Sequence, residues 1–348
     1  MRLTQDLETK TNGEKRMTET LLKISGLKTH FFTEAGSVKA VDGVSFDIKK
    51  GESLGLVGES GSGKTVTALS VLRIVPKPGK VVEGKIEFKG ENLLEKNEKE
   101  MQSIRGKEIA MIFQDPCSSL NPVYNIETQL RDVLLAHESI SKEECHEKII
   151  ELMNLVGIPE AEIRLREYPH QFSGGMKQRV AIARALALQP TLLFADEPTT
   201  SLDVTIQAQV LDLLEDLKRK MGMSLVMITH DMGIIAKMST RVVVMYAGHV
   251  SEIAKTEDLY NHPRHPYTAS LLAAVPRLDR KQTLSIIPGN IPNLIEPPSG
   301  CRFHQRCKYA TKKCAEAPPV LEEIEPEHFV ACYEWKNITL KGVNGKSD

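Results

Sequence analysis

The sequence predicts an α/β fold with a mixed sheet core, a helical subdomain and a small cysteine-rich C-terminal appendage. Three observations support this prediction. Short apolar runs of strand length end at polar residues, and a glycine-rich loop stands between one such run and a segment able to form a helix. After about residue 260, prolines and cysteines become frequent, which indicates a second, smaller module.

The predicted sheet rests on four apolar runs and on the polar residues that follow them. The runs are Ser53–Val57, Ile109–Phe113, Leu192–Ala195 and Leu225–Ile228. Near-continuous apolar strands are typical of a sheet buried on both faces. The residues after the runs include Gly58, Gln114, Asp196 and His230. Since ligands of such sheets bind outside the carboxyl ends of the strands, these residues predict a site at one edge of the sheet.

Composition and charge restrict the function classes. Hydrophobic residues make up 41% of the 348 residues, which is enough for a sizeable core, and the formal net charge of −1 gives no reason to expect a nucleic-acid partner. No apolar run approaches the ~20 residues of a membrane-spanning helix. The polar N-terminal residues lack the apolar core of a signal peptide. We therefore expect a cytoplasmic protein that reaches any membrane through a partner.

The segment Gly58–Thr65 fits the phosphate-loop pattern G-x-x-x-x-G-K-[ST] in full and precedes the helix-capable run Val66–Ile74. Glycines let backbone N–H groups surround a phosphate, and the helix N-terminus adds its positive end. Lys64 would contact the terminal phosphates and Thr65 would bind Mg²⁺. A flexible turn is the alternative for an isolated glycine pair. The complete pattern instead predicts a P-loop ATPase whose ATP-binding residues are Gly58, Ser60, Gly61, Ser62, Gly63, Lys64 and Thr65.

A second motif supplies two acidic residues. The apolar run Leu192–Ala195 ends at Asp196, which is followed by Glu197. A carboxylate at a strand end is the usual contribution of such ATPases to the Mg²⁺ shell, so Asp196 is a candidate metal ligand. Glu197 is the candidate catalytic base, placed to polarise a water in line with the γ-phosphate. An ordinary acidic helix start near Pro198 is the alternative, which the phosphate loop disfavours.

Four further motifs follow in a recognisable order. They are Gln114 with Asp115-Pro116, the loop Phe172–Met176, the loop Ser201–Asp203, and His230-Asp231. On these motifs, residues 21–260 resemble the ATPases of ATP-binding-cassette (ABC) transporters. The signature loop has Phe172 and Met176 where the family's general L-S-G-G-Q has Leu and Gln, and this F-S-G-G-M form is similar to the peptide-importer branch.

The resemblance implies that the signature loop binds the ATP of a second cassette in a head-to-tail dimer. Ser173, Gly174 and Gly175 open a helix through Ala181–Leu188, so their N–H groups can face a phosphate. The resemblance also makes Asp203, in the loop after the second acidic motif, a candidate ATP-binding residue. In isolation, a Ser-Gly-Gly helix cap is the alternative interpretation.

The resemblance also implies roles for single side chains. Gln114 would contact Mg²⁺ and the attacking water, as a metal ligand and catalytic residue, and the segment after it would meet the permease. His230 would contact the γ-phosphate as a further catalytic residue, with a buried structural histidine as the alternative. Phe31 is the candidate for stacking on adenine, with its neighbour Phe32 as the alternative.

A cluster of four cysteines has the spacing C-x5-C-x6-C-x17-C and consists of Cys301, Cys307, Cys314 and Cys332. In a reducing cytosol, a metal explains such a cluster better than disulfides do. Zinc sites usually contain short cysteine pairs, which are absent from this spacing, so a larger metal cluster is favoured over zinc. Four free structural thiols are the third alternative.

The residues around the cysteines narrow the resemblance. The segments His265–Thr268, Ile287–Pro292 and Pro298–Cys307 are similar to the tail of oligopeptide and dipeptide importer ATPases. That resemblance implies a four-iron, four-sulfur (4Fe-4S) cluster on the four cysteines, with Zn²⁺ as the alternative cofactor. We expect this cluster to have a structural role and to hold the appendage folded without touching the ATP site. Redox sensing is the alternative role.

The predicted organisation has three parts. Residues 1–20 form a flexible tail, residues 21–260 the nucleotide-binding domain with a helical subdomain at about 115–185, and residues 261–348 the metal-cluster module. The resemblance implies an ATP-hydrolysing subunit of a dipeptide or oligopeptide importer, peripheral at the cytoplasmic face of the cell membrane. Its expected partners are a second cassette, either a paralogue or a copy of itself, transmembrane permease subunits and, indirectly, an extracytoplasmic peptide-binding protein.

Three other functions remain as alternatives. The first is a soluble ABC ATPase that is not coupled to transport, although such proteins typically carry two cassettes or a long coiled-coil insertion. The second is an importer of another substrate, such as nickel. The third is a metal-cluster redox protein in which the ATPase is regulatory.

Overall fold

The computed structural model describes residues 19–115, 119–200, 202–275 and 287–343. Nearly all of the predicted N-terminal tail, together with Pro116, Cys117 and Ser201, therefore lies outside the described residues. The strands are β1 (Thr20–Thr33), β2 (Gly36–Lys49), β3 (Ser53–Val57), β4 (Gly79–Phe88), β5 (Glu91–Asn92), β6 (Ile109–Ile112), β7 (Leu192–Asp196), β8 (Ser224–Thr229), β9 (Arg241–Tyr246), β10 (His249–Lys255), β11 (Glu322–Glu325) and β12 (His328–Val330).

Among the described residues, helices lie between these strands, in places several in succession. They are α1 (Lys64–Val71), α2 (Glu98–Ile104), α3 (Ile126–Leu135), α4 (Lys142–Leu155), α5 (Ala161–Arg164), α6 (Gly174–Leu186), α7 (Val204–Met221), α8 (Met232–Met238), α9 (Thr256–Asn261), α10 (Pro266–Ala273) and α11 (Lys312–Glu316). Two short 3₁₀ turns occur at Pro169–Gln171 and His304–Arg306.

The chain divides into two compact units. The first combines the residues up to Glu95 with those from Met227 onward, and the second is Lys96–Val226. Strand β8 is the element in which the chain passes from the second unit back to the first.

The first unit contains two sheets. One is antiparallel, in the order β2-β1-β4-β5, and β1 pairs with β2 on one side and β4 on the other. The other sheet includes the run β11-β12-β10-β9-β3, in which β3 and β9 are parallel and β9, β10 and β12 are antiparallel. Every residue of β3 and β9 is buried, as the apolar run Ser53–Val57 predicts.

The second unit contains the parallel pair β6 and β7, in the register Ile109↔Leu192 to Ile112↔Ala195. Helices α3, α4 and α6 pack with one another through their buried apolar residues, and the short α5 packs against α4. Residues buried there include Leu130, Ile149 and Val180.

The predicted α/β fold with a mixed sheet is confirmed. The four predicted strands exist, although the run at Ile109–Phe113 ends at Ile112. The last strands of the chain were not predicted: β12 pairs with β10, so that Glu252 lies opposite Val330. The C-terminal region thus extends the sheet that contains β3.

Candidate active site

The phosphate loop follows β3 and leads into α1, as predicted. Gly63 is the N-cap of α1 and has a φ of 100°, a left-handed conformation that favours glycine. A Cβ on Gly63 would lie 2.4 Å from the carbonyl oxygen of Ala40, and one on Gly58 would lie 2.1 Å from the carbonyl oxygen of Met245. Both positions therefore require glycine for steric reasons.

Lys64 lies folded over this loop. Its Nζ donates to the carbonyl oxygens of Gly58 at 2.7 Å and Glu59 at 3.0 Å, and to Oγ of Ser62 at 3.3 Å. Ser62 and Lys64 are buried, whereas Ser60, Gly61 and Thr65 are exposed. The exposed residues of the loop thus surround the buried ammonium group of Lys64. This arrangement is suited to binding a phosphate.

His230 belongs to the same unit as the phosphate loop. It is exposed and follows the last residue of β8, as predicted. The next residue, Asp231, caps α8 by accepting hydrogen bonds from the N–H groups of Gly233 at 2.7 Å and Ile234 at 3.3 Å. Its position excludes the alternative of a buried core histidine.

The second unit brings two predicted catalytic side chains together. Nε2 of Gln114 donates to Oε2 of Glu197 at 2.9 Å, and Oγ1 of Thr200 donates to the same oxygen, also at 2.9 Å. Asp196 is 2% exposed at the end of β7. Glu197 has a φ of 44°, which is uncommon for a residue with a Cβ and is typical of strained functional sites.

The signature loop forms a helix start whose polar groups remain exposed. Oγ of Ser173 accepts a hydrogen bond from the N–H of Met176 at 3.3 Å and so caps α6, while Ser173 and Gly174 are exposed. A Cβ on Gly175 would lie 2.7 Å from Cγ2 of Ile206, so glycine lets α6 approach α7 closely. Asp203 caps α7 in the same manner, accepting from the N–H of Ile206 at 3.0 Å.

The two candidate adenine-stacking rings have different surroundings. Phe31 is half-buried, and its ring lies so near Gly79 that a Cβ there would be 2.6 Å from Cε1. Phe32 is 52% exposed. The assignment of Phe31 stays a prediction, and the structure leaves Phe32 the more accessible ring.

All four clustered cysteines line one cavity in the C-terminal region: Cys301, Cys307, Cys314 and Cys332. None of them forms a disulfide. The N–H of Cys301 donates to the carbonyl oxygen of Cys314 at 2.7 Å, which fastens the two segments that carry these cysteines. Aromatic rings, including those of Phe303, Tyr309 and Tyr333, complete the cavity wall.

Burial raises the pKa of three of these thiols. The pKa of Cys301 rises to about 11 and that of Cys332 to about 12, and that of Cys307 also rises. Backbone hydrogen bonds oppose the rise, from Phe303 and His304 at Cys301 and from Tyr309 at Cys307. Hydrogen bonds to cysteine sulfur are also one of the means by which proteins tune iron–sulfur clusters.

Within the described ranges, no group of three or more His, Cys, Asp or Glu side chains is arranged to hold a single metal ion. The four cysteines nevertheless line one shared cavity.

One expectation is wrong: the C-terminal region does touch the phosphate loop. Arg306 forms an ion pair with Glu59, with Nη1 to Oε2 at 2.6 Å and Nη2 to Oε1 at 3.1 Å. The hydroxyl of Tyr267 accepts a hydrogen bond from the N–H of Glu59 at 2.8 Å. The expectation failed because Glu59 occupies a variable position of the phosphate-loop pattern, where its residue type carries no signal. Thr200, which donates to the Glu197 carboxylate, was also not predicted, because its residue type at that position carries no signal.

Comparisons with known proteins agree with these motifs. A family model described as ABC transporter matches residues 41–200, and one described as oligopeptide/dipeptide transporter, C-terminal region, matches residues 251–314. The probable peptide ABC transporter ATP-binding protein y4tR of Sinorhizobium fredii is 51% identical over 316 residues, which cover 90% of this chain and 94% of that protein. The chain belongs to the ABC transporter ATPase family.

This ABC ATPase is also similar to other transport proteins and to solved cassette structures. The oligopeptide transport ATP-binding protein OppD of Bacillus subtilis is 49% identical over 313 residues, covering 89% of this chain and 87% of that protein. Among solved structures, the dimeric bacterial ABC transporter cassette MJ0796 matches with a TM-score of 0.61 and 27% identity, covering 68% of this chain and 98% of that cassette. None of the helices in the described part of this ABC ATPase is long and apolar enough to span a bilayer.

Proposed function

We propose that this ABC ATPase is the ATP-hydrolysing subunit of an importer of dipeptides or oligopeptides, and that it works at the cytoplasmic face of the cell membrane. The match of residues 251–314 to the C-terminal region of oligopeptide/dipeptide transporters carries this proposal. The names of the relatives that match about nine-tenths of the chain support it, because they are peptide transport proteins. The domain boundary near residue 260 remains part of the proposal.

From the motifs we infer a division of labour in ATP hydrolysis. Lys64 neutralises the terminal phosphates, and the proposed Mg²⁺ ligands are Thr65, Asp196 and Gln114. Mg²⁺ would supply neutralisation of the charge that develops on the phosphate oxygens. Glu197 accepts the proton of the attacking water, and the hydrogen bond from Gln114 fixes the carboxylate for this task.

A head-to-tail dimer of cassettes is the proposed active form. The exposed helix start at Ser173 and the exposed Asp203 support it, because neither is sequestered within its own unit. The dimeric MJ0796 cassette, described in one structure as bound to ADP and phosphate after hydrolysis, provides a structural precedent. Permease subunits are the proposed membrane partners, with an extracytoplasmic peptide-binding protein acting through them.

We further propose that the four cysteines hold a 4Fe-4S cluster, with Zn²⁺ as the alternative. The shared cavity and the backbone hydrogen bonds to the sulfur atoms support the cluster. The cluster would supply the cross-link between Cys301 and Cys332 that a small cysteine-rich segment needs to stay folded.

Uptake in cells tests the transport proposal. A strain that lacks this chain is complemented with the wild type or with Glu197→Gln, and uptake of radiolabelled dipeptides, tripeptides and nickel is measured. We expect only the wild type to restore peptide uptake, with nickel uptake the same in all strains. Restored nickel uptake without peptide uptake would overturn the proposal in favour of a metal importer, and no change in either would favour a soluble ATPase.

Elemental analysis tests the cluster separately. Protein purified without oxygen should contain iron and acid-labile sulfide in equal amounts, and Cys314→Ser should lose most of both. Cys145→Ser is the matched control, because Cys145 is buried in the second unit and does not line the cavity. Stoichiometric zinc without sulfide would assign the site to Zn²⁺ instead.

A further inference from the structure

Glu59 in the phosphate loop is held from three directions. Its carboxylate receives two hydrogen bonds from Arg306, its N–H donates to Tyr267, and its carbonyl oxygen accepts from Nζ of Lys64 at 3.0 Å. Tyr267 is fully buried, so its hydroxyl is a fixed acceptor. Two groups of the C-terminal region therefore determine the position of the residue against which the phosphate-binding lysine rests.

Arg306 is itself immobilised. Its Nε donates to the carbonyl oxygen of Pro288 at 2.8 Å, Nη2 to that of Ile287 at 3.2 Å and Nη1 to the hydroxyl of Tyr246 at 3.2 Å. Its side chain is 6% exposed, and its guanidinium carbon lies 5.7 Å from the centre of the Tyr246 ring. This is not a mobile surface ion pair of the kind that contributes little, because a bidentate pair of fixed groups has well-defined geometry.

Arg306 also lies inside the segment from Cys301 to Cys332, here called the cysteine-rich segment. It ends the 3₁₀ turn His304–Arg306 and directly precedes Cys307, which lines the four-cysteine cavity. Any change in the folding of this segment therefore moves the guanidinium that binds Glu59.

We propose that Arg306 is a positioning residue for the phosphate loop: it neutralises and holds Glu59, so that the folded cysteine-rich segment sets the affinity for nucleotide. The proposal rests on the role of the phosphate loop in ATP binding, and not on the identity of any group held by the cysteines. Without Arg306, the Glu59 carboxylate would carry an unneutralised negative charge beside the site for the polyanionic triphosphate, and Lys64 would lose its fixed support.

Equilibrium binding of ATP tests this, in the Glu197→Gln background so that turnover does not intervene. Arg306→Ala should weaken ATP binding on the order of 10-fold, which corresponds to one lost charge-assisted interaction. Arg306→Lys, which keeps the charge but not the paired hydrogen bonds, should show an intermediate loss. Lys312→Ala is the matched control, because it removes an exposed cation from the same segment and should leave affinity unchanged.

A double-mutant cycle separates positioning from general destabilisation. In a Glu59→Gln background, Arg306→Ala should weaken ATP binding much less than it does alone, because no carboxylate remains to be neutralised. Circular dichroism confirms that each variant is folded before titration. Wild-type affinity in Arg306→Ala, or equal losses with and without Glu59→Gln, would overturn the proposal. Failure of the peptide-uptake experiment would leave it untouched, since ATP binding is measured directly.

Discussion

Arg302 and Asp42 form an ion pair across 260 positions of the chain, with Nη2 of the arginine 2.5 Å from Oδ2 of the carboxylate. The Arg302 side chain is 7% exposed and also donates to the carbonyl oxygen of Ala247 at 3.3 Å. One cation from the cysteine-rich segment therefore fastens β2 to the turn between β9 and β10.

The surroundings of Asp42, with His249 first and Arg302 second, predict a pH-dependent contribution to stability. The pKa of Asp42 is lowered from its usual 3.8 to about 2, by His249 and by the Arg302 guanidinium, against the opposing effect of burial. The folded state thus binds protons less readily than the unfolded state, so the contribution is present above about pH 4 and is lost as the pH falls toward 2.

Asp42→Asn should therefore lower the free energy of unfolding at pH 7 by on the order of 2 kcal/mol. Urea denaturation of the wild type and the variant at pH 7 and near pH 3 measures the difference. The difference should shrink in acid, and an equal difference at both pH values would contradict the assignment to the Asp42 carboxylate. Asp216→Asn, at an exposed position of α7, is the control and should have little effect at either pH.

Glu197→Gln should leave ATP binding intact and slow hydrolysis by about 10²- to 10⁴-fold, because the amide cannot accept the proton of the attacking water. Single-turnover hydrolysis at saturating ATP measures the chemical step. Glu162→Gln, an exposed change in the same unit, should hydrolyse ATP at the wild-type rate. A near-wild-type rate for Glu197→Gln would remove this residue from the catalytic role.

Ser173→Arg should prevent ATP-driven dimerisation while the single chain still binds nucleotide. The exposed helix start at Ser173 would then carry a bulky cation where a partner's phosphate is expected. Sizing of the ATP-loaded Glu197→Gln protein, with and without Ser173→Arg, measures the effect. Ser103→Arg introduces the same side chain at another exposed position of the second unit and should remain dimeric. Equal dimerisation of all three proteins would refute the head-to-tail arrangement.

Phe31→Ala and Phe32→Ala distinguish the two candidate adenine contacts. Loss of a ring stacked on a base typically costs about 1–3 kcal/mol, so one variant should weaken ATP binding roughly 5- to 150-fold. We predict that this variant is Phe31→Ala, because Phe31 is the candidate for the aromatic residue that stacks on adenine in this family. Binding of ATP and of inorganic triphosphate is compared, since only ATP has the base. A selective loss in Phe32→Ala would transfer the role to the more exposed ring.

The elements that could be predicted are those determined by residues adjacent in the sequence. The strand Ser53–Val57 and the loop after it were predictable, because a run of apolar residues indicates a buried strand and the spacing of the glycines indicates the phosphate loop. Gln114 and Asp196 follow or end the neighbouring parallel strands β6 and β7, as the strand-end pattern predicted, whereas the hydrogen bond from Gln114 to Glu197 was not predicted.

Other features depend on long-range packing that no local pattern records. The Arg306 and Glu59 pair joins positions 247 residues apart, and neither residue stands at a defining position of a motif. Strand β12 has three residues, too few for the alternation that identifies a strand. The positive φ of Glu197 also has no sequence signal, because it arises from the constraints of the turn after β7.

The buried Glu252 determines where this protein can be shortened. Its carboxylate accepts hydrogen bonds from the N–H groups of Arg264 at 2.7 Å and His265 at 3.0 Å, and Nε2 of His328 lies 2.8 Å from it. A truncated cassette that ended near residue 260 would leave this carboxylate without these hydrogen-bond partners in an apolar interior. It would also leave β10 as an unpaired sheet edge that can pair with other molecules. Expression fragments should therefore retain the chain through Val330, because a fragment without β12 is expected to aggregate.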